Sequence, residues 1–209
     1  PGASYRGLHD SIVNYGDNTP QIIQCTHEKI VIGIAHGYAR VTGKPMAAIV
    51  HNLVGLLHST MGVYYAYVDE APVIVLGATG PMDTSRRRPF IDWIHTAQDQ
   101  GDVVREFTKW DDQPHTVASV PESFARAYRV ATTPPYGPVY LVFDSNLQED
   151  PLLVEVPMLD PKRLVAPDPS ALSANTVEKI ADMLVAAKRP VALADMVGQS
   201  QAAVDKLVE

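Results

Sequence analysis

The sequence of 209 residues is poor in the features that mark several protein classes. It holds one cysteine, Cys25, so no disulfide framework can form and a reducing compartment is the expectation. No apolar run reaches the length of a membrane span. Positive charge is in deficit: 17 Lys and Arg against 24 Asp and Glu leave a formal charge of −7. A surface of that sign repels phosphate backbones, which excludes a general nucleic-acid binder. The opening Pro1-Gly2-Ala3-Ser4 lacks the basic flank and apolar stretch of a secretion signal. The expectation is a soluble, cytoplasmic protein with neither a membrane nor a nucleic acid as partner.

What is present points to a packed core, since 46% of residues are apolar and 20% charged. Short apolar runs bounded by turn residues predict buried strands at 21–26, 46–51, 72–78 and 138–143. Helical patterns fall between them at 28–42, 56–68 and 120–131, the first ending at Gly43-Lys44-Pro45, a glycine stop followed by proline. This alternation implies an α/β fold, a parallel sheet with helices on both faces. Residues 1–148 form this first domain. Residues 149–172 carry five prolines and little periodicity and are read as a linker. Residues 173–209 begin a second α/β domain, with a helix at 173–188, a strand at 191–194 and a helix from 199. That unit is too small to bury a core alone, so it is expected to be truncated, as is the start of the chain.

Thr26-His27-Glu28 lies where the first predicted strand meets a helix. That places the Glu28 carboxyl in the crevice at the carboxyl ends of the strands, where parallel sheets bind ligands. The helix N-terminus favours its ionised form, while partial burial favours the neutral one. A carboxyl held between those effects is suited to proton transfer, although an acidic residue in a first helical turn is also common without any function.

From His27-Glu28 through Ala35-His36-Gly37-Tyr38-Ala39-Arg40-Val41-Thr42-Gly43-Lys44-Pro45 the chain resembles the pyrimidine-binding domain of thiamine-diphosphate-dependent enzymes, the acetolactate synthases and benzoylformate decarboxylases among them. The resemblance continues through Asp69-Glu70-Ala71-Pro72-Val73-Ile74-Val75-Leu76-Gly77, Thr108-Lys109-Trp110 and Pro134-Pro135-Tyr136-Gly137-Pro138-Val139-Tyr140-Leu141. Ala187-Lys188-Arg189-Pro190-Val191 is similar to the opening of the family's central domain. The resemblance implies that Glu28 hydrogen-bonds a ring nitrogen of the cofactor's aminopyrimidine and so promotes deprotonation of the thiazolium carbon, in an enzyme acting on 2-oxo acids by decarboxylation or carboligation. It also implies a cofactor contact at Gly55, and at His58 where the family often has Asn, although packing is the simpler role for His58. At His51-Asn52-Leu53-Val54-Gly55 the chain departs from the glycine-rich turn of acetolactate synthases and keeps only Gly55. Benzoylformate decarboxylases carry a histidine at the place of His51, where it moves protons on the substrate side; a loop histidine held by hydrogen bonds is the other reading.

No Gly-Asp-Gly occurs in the sequence, so the magnesium and diphosphate of the family are expected to be held by a domain this chain lacks. The chain alone is then expected to be inactive. The seven histidines read as scattered, position 31 is Val31 where a zinc motif after His27 needs histidine, and no metal is assigned to this chain. The resemblance implies that the active site forms between this domain of one subunit and the diphosphate-binding domain of another, hence a dimer or tetramer with the active site at the interface. Arg86-Arg87-Arg88 reads as an exposed positive loop, with binding of an anionic substrate as the other reading; the aromatic segment 89–95 reads as core packing, or as a surface against the cofactor region or a subunit partner; and Cys25 reads as a buried strand residue. A regulatory or assembly module on the same fold is the alternative function, against which the presence of Glu28 counts.

Overall fold

The structure, a computed structural model, describes residues 2–17, 19–156, 158–160, 164–167 and 170–209, and the backbone alone of Gln199. Pro1, Pro157, Pro161 and Pro169, on which the readings of the N-terminus and linker partly rest, lie outside the described residues. The chain divides into two compact units, Pro1–Ala166 and Pro167–Glu209.

Four strands build the first unit: β1 (Met46–Ile49), β2 (Val73–Thr79), β3 (Trp110–Asp112) and β4 (Val139–Asp144). They form one wholly parallel sheet in the order β1-β2-β4-β3. β2 and β4 occupy the centre, with Ile74 beside Val139 and Ala78 beside Phe143. Both strands are buried on both faces, which is why their sequences read as continuous apolar runs. Their residues nevertheless alternate between two cores. Val73, Val75, Tyr140 and Val142 pack with Ile32, Ala35 and Ala39 of α2 (Glu28–Thr42) and with Leu56, Val63 and Ala66 of α3 (Leu53–Val68). Ile74, Leu76, Val139, Leu141 and Phe143 pack with Ala127 and Ala131 of α5 (Val120–Thr132) and with Tyr5. The sheet thus carries helices on both faces, as the alternation of patterns predicts.

Local chemistry sets the helix limits. α2 starts behind His27, whose Nδ1 accepts the Lys29 backbone N–H at 3.1 Å, and stops at Gly43, which takes the left-handed conformation open to glycine (φ 68°). α5 begins with proline in its first turn after Thr116 and Ser119 cap the turn before it, and Lys109 Nζ donates to the Val130 and Thr133 carbonyls at its end, 2.6 Å each. Glycine is required at Gly77 in β2, because the Tyr140 hydroxyl occupies the space a Cβ would fill. That hydroxyl accepts from the buried Gln100 side chain at 2.7 Å.

Three expectations fail. Residues 21–26 form no strand, and Cys25 is half-buried rather than buried. Ile22, Ile23 and Cys25 supply the composition of a buried strand, but the segment joins no sheet among the described residues. Residues 191–194 fail for the same reason, with Leu193 almost fully exposed. Conversely, the chain before His27 contains a helix, α1 (Arg6–Asn14), tied to α6 (Ser145–Glu149) by the bidentate pair of Arg6 and Glu149 and by the Gln148 side chain donating to the Ser4 carbonyl at 2.9 Å. β3 was also unforeseen, because Trp110-Asp111-Asp112 is short and acidic. The second unit holds α7 (Ala174–Ala186) and α8 (Gln201–Val208), with no strand among its described residues. No helix is long and apolar enough among the described residues to cross a membrane.

Candidate active site

The carboxyl ends of β1, β2 and β4 and the N-termini of α2 and α3 converge on one edge of the sheet, the edge at which parallel sheets bind ligands. Glu28 opens α2, and Gly55 lies in the first turn of α3. A Cβ built on Gly55 would lie 2.8 Å from His51 Cβ and 3.0 Å from Glu28 Oε1. Glu28 and His51 therefore flank the same bare stretch of backbone, and Gly55 is the residue that lets them approach.

The Glu28 side chain is 25% exposed. Burial raises the pKa of its carboxyl, but hydrogen bonding to its own backbone amide and to His58, with the imidazoles of His58 and His27, more than offsets this, and the net shift is downward. The opposition of burial and helix terminus read from the sequence is present, and in this state the ionised form prevails. His58 Nδ1 lies 3.6 Å from Glu28 Oε2, and the His58 ring stacks on that of His27 with centroids 4.9 Å apart. One polar atom each from His27, Glu28 and His58 falls within 4.8 Å of the others. Two expectations are corrected here. The histidines are not all scattered, because the converging helix starts unite residues distant in sequence. Nor does His58 pack into the core: its side chain is 60% exposed and rests on His27.

His51 faces a different space from Glu28. It lines a cavity of about 320 Å³, together with Ser4, Thr79, Arg88, Asp92 and His95, and Glu28 is not part of that wall. Ser4 Oγ lies 3.0 Å from His51 Nδ1, and the His51 and His95 rings are 5.7 Å apart, tilted by 53°. The site thus has two compartments divided by the start of α3.

The segment after β2 forms the far wall of the cavity. Asp144 at the end of β4 accepts the Met82 backbone N–H at 3.0 Å and caps α6 through Asn146 N–H. The three arginines are not a free positive loop. Arg86 makes a bidentate pair with Asp150, Arg87 lies over the Trp93 ring and donates to the Pro81 carbonyl, and Arg88 binds Asp92 through its backbone N–H and its guanidinium. The hydrogen bonds from Arg88 hold the buried Asp92 carboxyl below the usual range. Segment 89–95 is not core either: it contains the single-turn α4 (Ile91–Ile94), where Phe90, Trp93 and Ile94 are exposed and Asp92 is the buried residue. His95, on this wall, was not foreseen as a site residue, since no motif marks a histidine so far along the chain from His51.

Residues 1–104 match the family described as thiamine pyrophosphate enzyme, N-terminal TPP binding domain, TPP being another name for thiamine diphosphate. The chain is 28% identical over 198 residues to the acetolactate synthase large subunit of Lactococcus lactis, covering 93% of this chain and 32% of that protein. It is 26% identical over 131 residues to benzoylformate decarboxylase of Pseudomonas aeruginosa, covering 62% of this chain and 24% of that one. The fold is shared with the crystal structure of benzoylformate decarboxylase from Polynucleobacter necessarius, with a TM-score of 0.74 at 22% identity over 91% of this chain and 34% of that one. The chain spans about a third of the length of the acetolactate synthase it matches. Sheet order, site position and sequence agree, and residues 1–104 belong to the family of N-terminal TPP-binding domains of thiamine pyrophosphate enzymes.

Proposed function

We propose that this chain is the cofactor-activating portion of a thiamine-diphosphate-dependent enzyme acting on 2-oxo acids, and that it is inactive without a diphosphate-binding domain. The observation that carries this reading is the Glu28 carboxyl at the start of α2, partly open and directly beside the bare backbone of Gly55. These residues fit the aminopyrimidine: Gly55 leaves room for the Glu28 carboxyl beside the backbone, and a carboxyl can exchange a proton with a ring nitrogen where an amide cannot. When bound, thiamine diphosphate supplies an acidic thiazolium carbon and an electron sink. Glu28 would hold the proton at the pyrimidine nitrogen, and His58, stacked on His27, lies beside its carboxyl group. Magnesium belongs with the diphosphate, in the domain carrying the Gly-Asp-Gly that this sequence lacks.

His51 supports decarboxylation, because it lines a separate cavity of a size suited to a small 2-oxo acid. Carboligation is the second reading, favoured by the likeness to acetolactate synthase over 93% of the chain. A homo-oligomer, dimer or tetramer, with its active site between subunits is part of the proposal. Ile30, Ile34, Tyr38 and Val41 form an exposed apolar stripe on α2, and Leu57, Met61, Tyr64 and Tyr65 are exposed on α3. Apolar surface on that scale is suited to burial by a second copy. A cytoplasmic location rests on the single cysteine.

The test is calorimetric titration of thiamine diphosphate and magnesium into this chain and into a longer protein carrying it. Binding confined to the longer protein is expected. Tight magnesium-dependent binding to this chain alone would contradict the missing anchor, and binding to neither would favour a regulatory or assembly module.

A further inference from the structure

We propose that His95 is a second acid–base residue of the cavity lined by His51, and that its Nε2 protonates the carbon of a 2-oxo acid that loses its carboxyl group. This rests on the 2-oxo acid reading above and deepens it towards decarboxylation. The His95 and His51 rings lie 5.7 Å apart on the wall of one cavity of about 320 Å³. His95 Nδ1 is 2.7 Å from the Ile91 carbonyl oxygen. A carbonyl only accepts, so Nδ1 must carry the hydrogen, and the neutral ring keeps its lone pair on Nε2. The tautomer is thereby set for Nε2 to take a proton from solvent and deliver it.

The ring is also held in place. Asp92 accepts the Arg88 backbone N–H at 2.7 Å, and Thr96 Oγ1 donates to the Asp92 carbonyl at 2.6 Å. A Cβ on Gly80 would lie 2.7 Å from Thr96 Oγ1, so this turn packs tightly on the backbone leaving β2. The other charged groups of the cavity are paired: Arg6 with Glu149, Arg86 with Asp150 and Arg88 with Asp92. The two imidazoles carry the ring nitrogens there that can both accept and give up a proton.

The proposed step balances. The bond between the carbonyl carbon and the carboxyl group breaks, carbon dioxide leaves, and the retained electron pair takes the proton from Nε2. Solvent returns a proton to Nε2. In sum, one ionised 2-oxo acid (its carboxylate) and one proton become one aldehyde and one carbon dioxide. Carboligation needs no proton at that carbon, so a role for His95 separates the two readings.

Two measurements test this. In histidine nitrogen-15 NMR of the longer protein without cofactor, the neutral His95 ring is expected as the Nδ1–H tautomer, and added benzoylformate is expected to move both the His51 and the His95 signals. An Nε2–H tautomer, or no response at His95, overturns the assignment. In the holoenzyme, the amide of His95→Asn can still donate to the Ile91 carbonyl but cannot carry the proton. Benzaldehyde release from benzoylformate is expected to fall about 100-fold, with one limb of its pH profile lost. Thiazolium proton exchange is expected to be unchanged, because Glu28 governs it. Unaltered release and pH profile overturn the role of His95. Absent exchange in the unsubstituted protein defeats the reading of Glu28 instead, and the NMR result then still decides where His95 acts.

Discussion

Replacing Gly55 by alanine tests whether the two compartments are held apart by bare backbone. The new methyl group would lie 2.8 Å from His51 Cβ, 3.0 Å from Glu28 Oε1 and 3.2 Å from Glu28 Cγ. Carbon atoms rest about 3.5 Å or more apart, so His51 Cβ would have to yield by roughly 0.7 Å. That atom cannot rotate away, and the backbone after β1 must move with it. Overpacking of this kind costs about 1–3 kcal/mol, against about 1 kcal/mol gained by alanine over glycine in a helix. The net loss of stability is therefore small, from about 0 to 2 kcal/mol. The functional loss is larger, because displacing a reacting group by about 1 Å can cost on the order of 100-fold in rate. Gly33, in the interior of α2, is the control: a Cβ there meets nothing within 4 Å, so Gly33→Ala should gain up to about 1 kcal/mol. Urea unfolding gives both stabilities, and thiazolium proton exchange in a longer protein carrying the chain gives the functional effect. A Gly55→Ala variant as stable as Gly33→Ala, with unchanged exchange, would refute the reasoning.

Three further outcomes are expected. Asp92, held below the usual carboxylate range by Arg88, contributes stability that is full above the ordinary aspartate value and is lost as pH falls through its folded value. Asp92→Asn should therefore cost about 1–3 kcal/mol at pH 7 and flatten the stability profile below about pH 4 in urea melts. Lys109→Met removes both bonds to the Val130 and Thr133 carbonyls at the end of α5, and urea unfolding should record a loss of about 1–3 kcal/mol. Tyr38→Glu with Met61→Glu places charge on the exposed apolar surfaces of α2 and α3, and analytical ultracentrifugation should show self-association weakened; unchanged association would contradict a second copy on that surface.

Much of the fold was legible because several elements declare themselves locally. β2 and β4 are buried on both faces and so spell uninterrupted apolar runs, and α2 carries its own stop at Gly43. Residues 21–26 misled because apolar composition alone neither buries a segment nor gives its backbone a sheet to join, and Ile23 is exposed. β3 and α1 escaped notice for the opposite reason: their packing comes from neighbours distant in sequence, such as Val139 beside Trp110 and Glu149 beside Arg6. The same divide runs through the site. Glu28, His51 and Gly55 could be proposed from a strand end, a helix start and a family pattern. The stacking of His58 on His27 and the pairing of His95 with His51 depend on how three separate segments meet at one sheet edge, and no local signal encodes that.

The most direct test of the central claim is proton exchange at the thiazolium carbon of bound thiamine diphosphate, measured by deuterium labelling and NMR. It compares a longer protein carrying this chain with its Glu28→Gln variant, at matched cofactor occupancy. The account predicts exchange slowed by about 100-fold or more in the variant, because an amide cannot exchange a proton with the pyrimidine nitrogen. Exchange at the unsubstituted rate would contradict it and remove Glu28 from the chemistry.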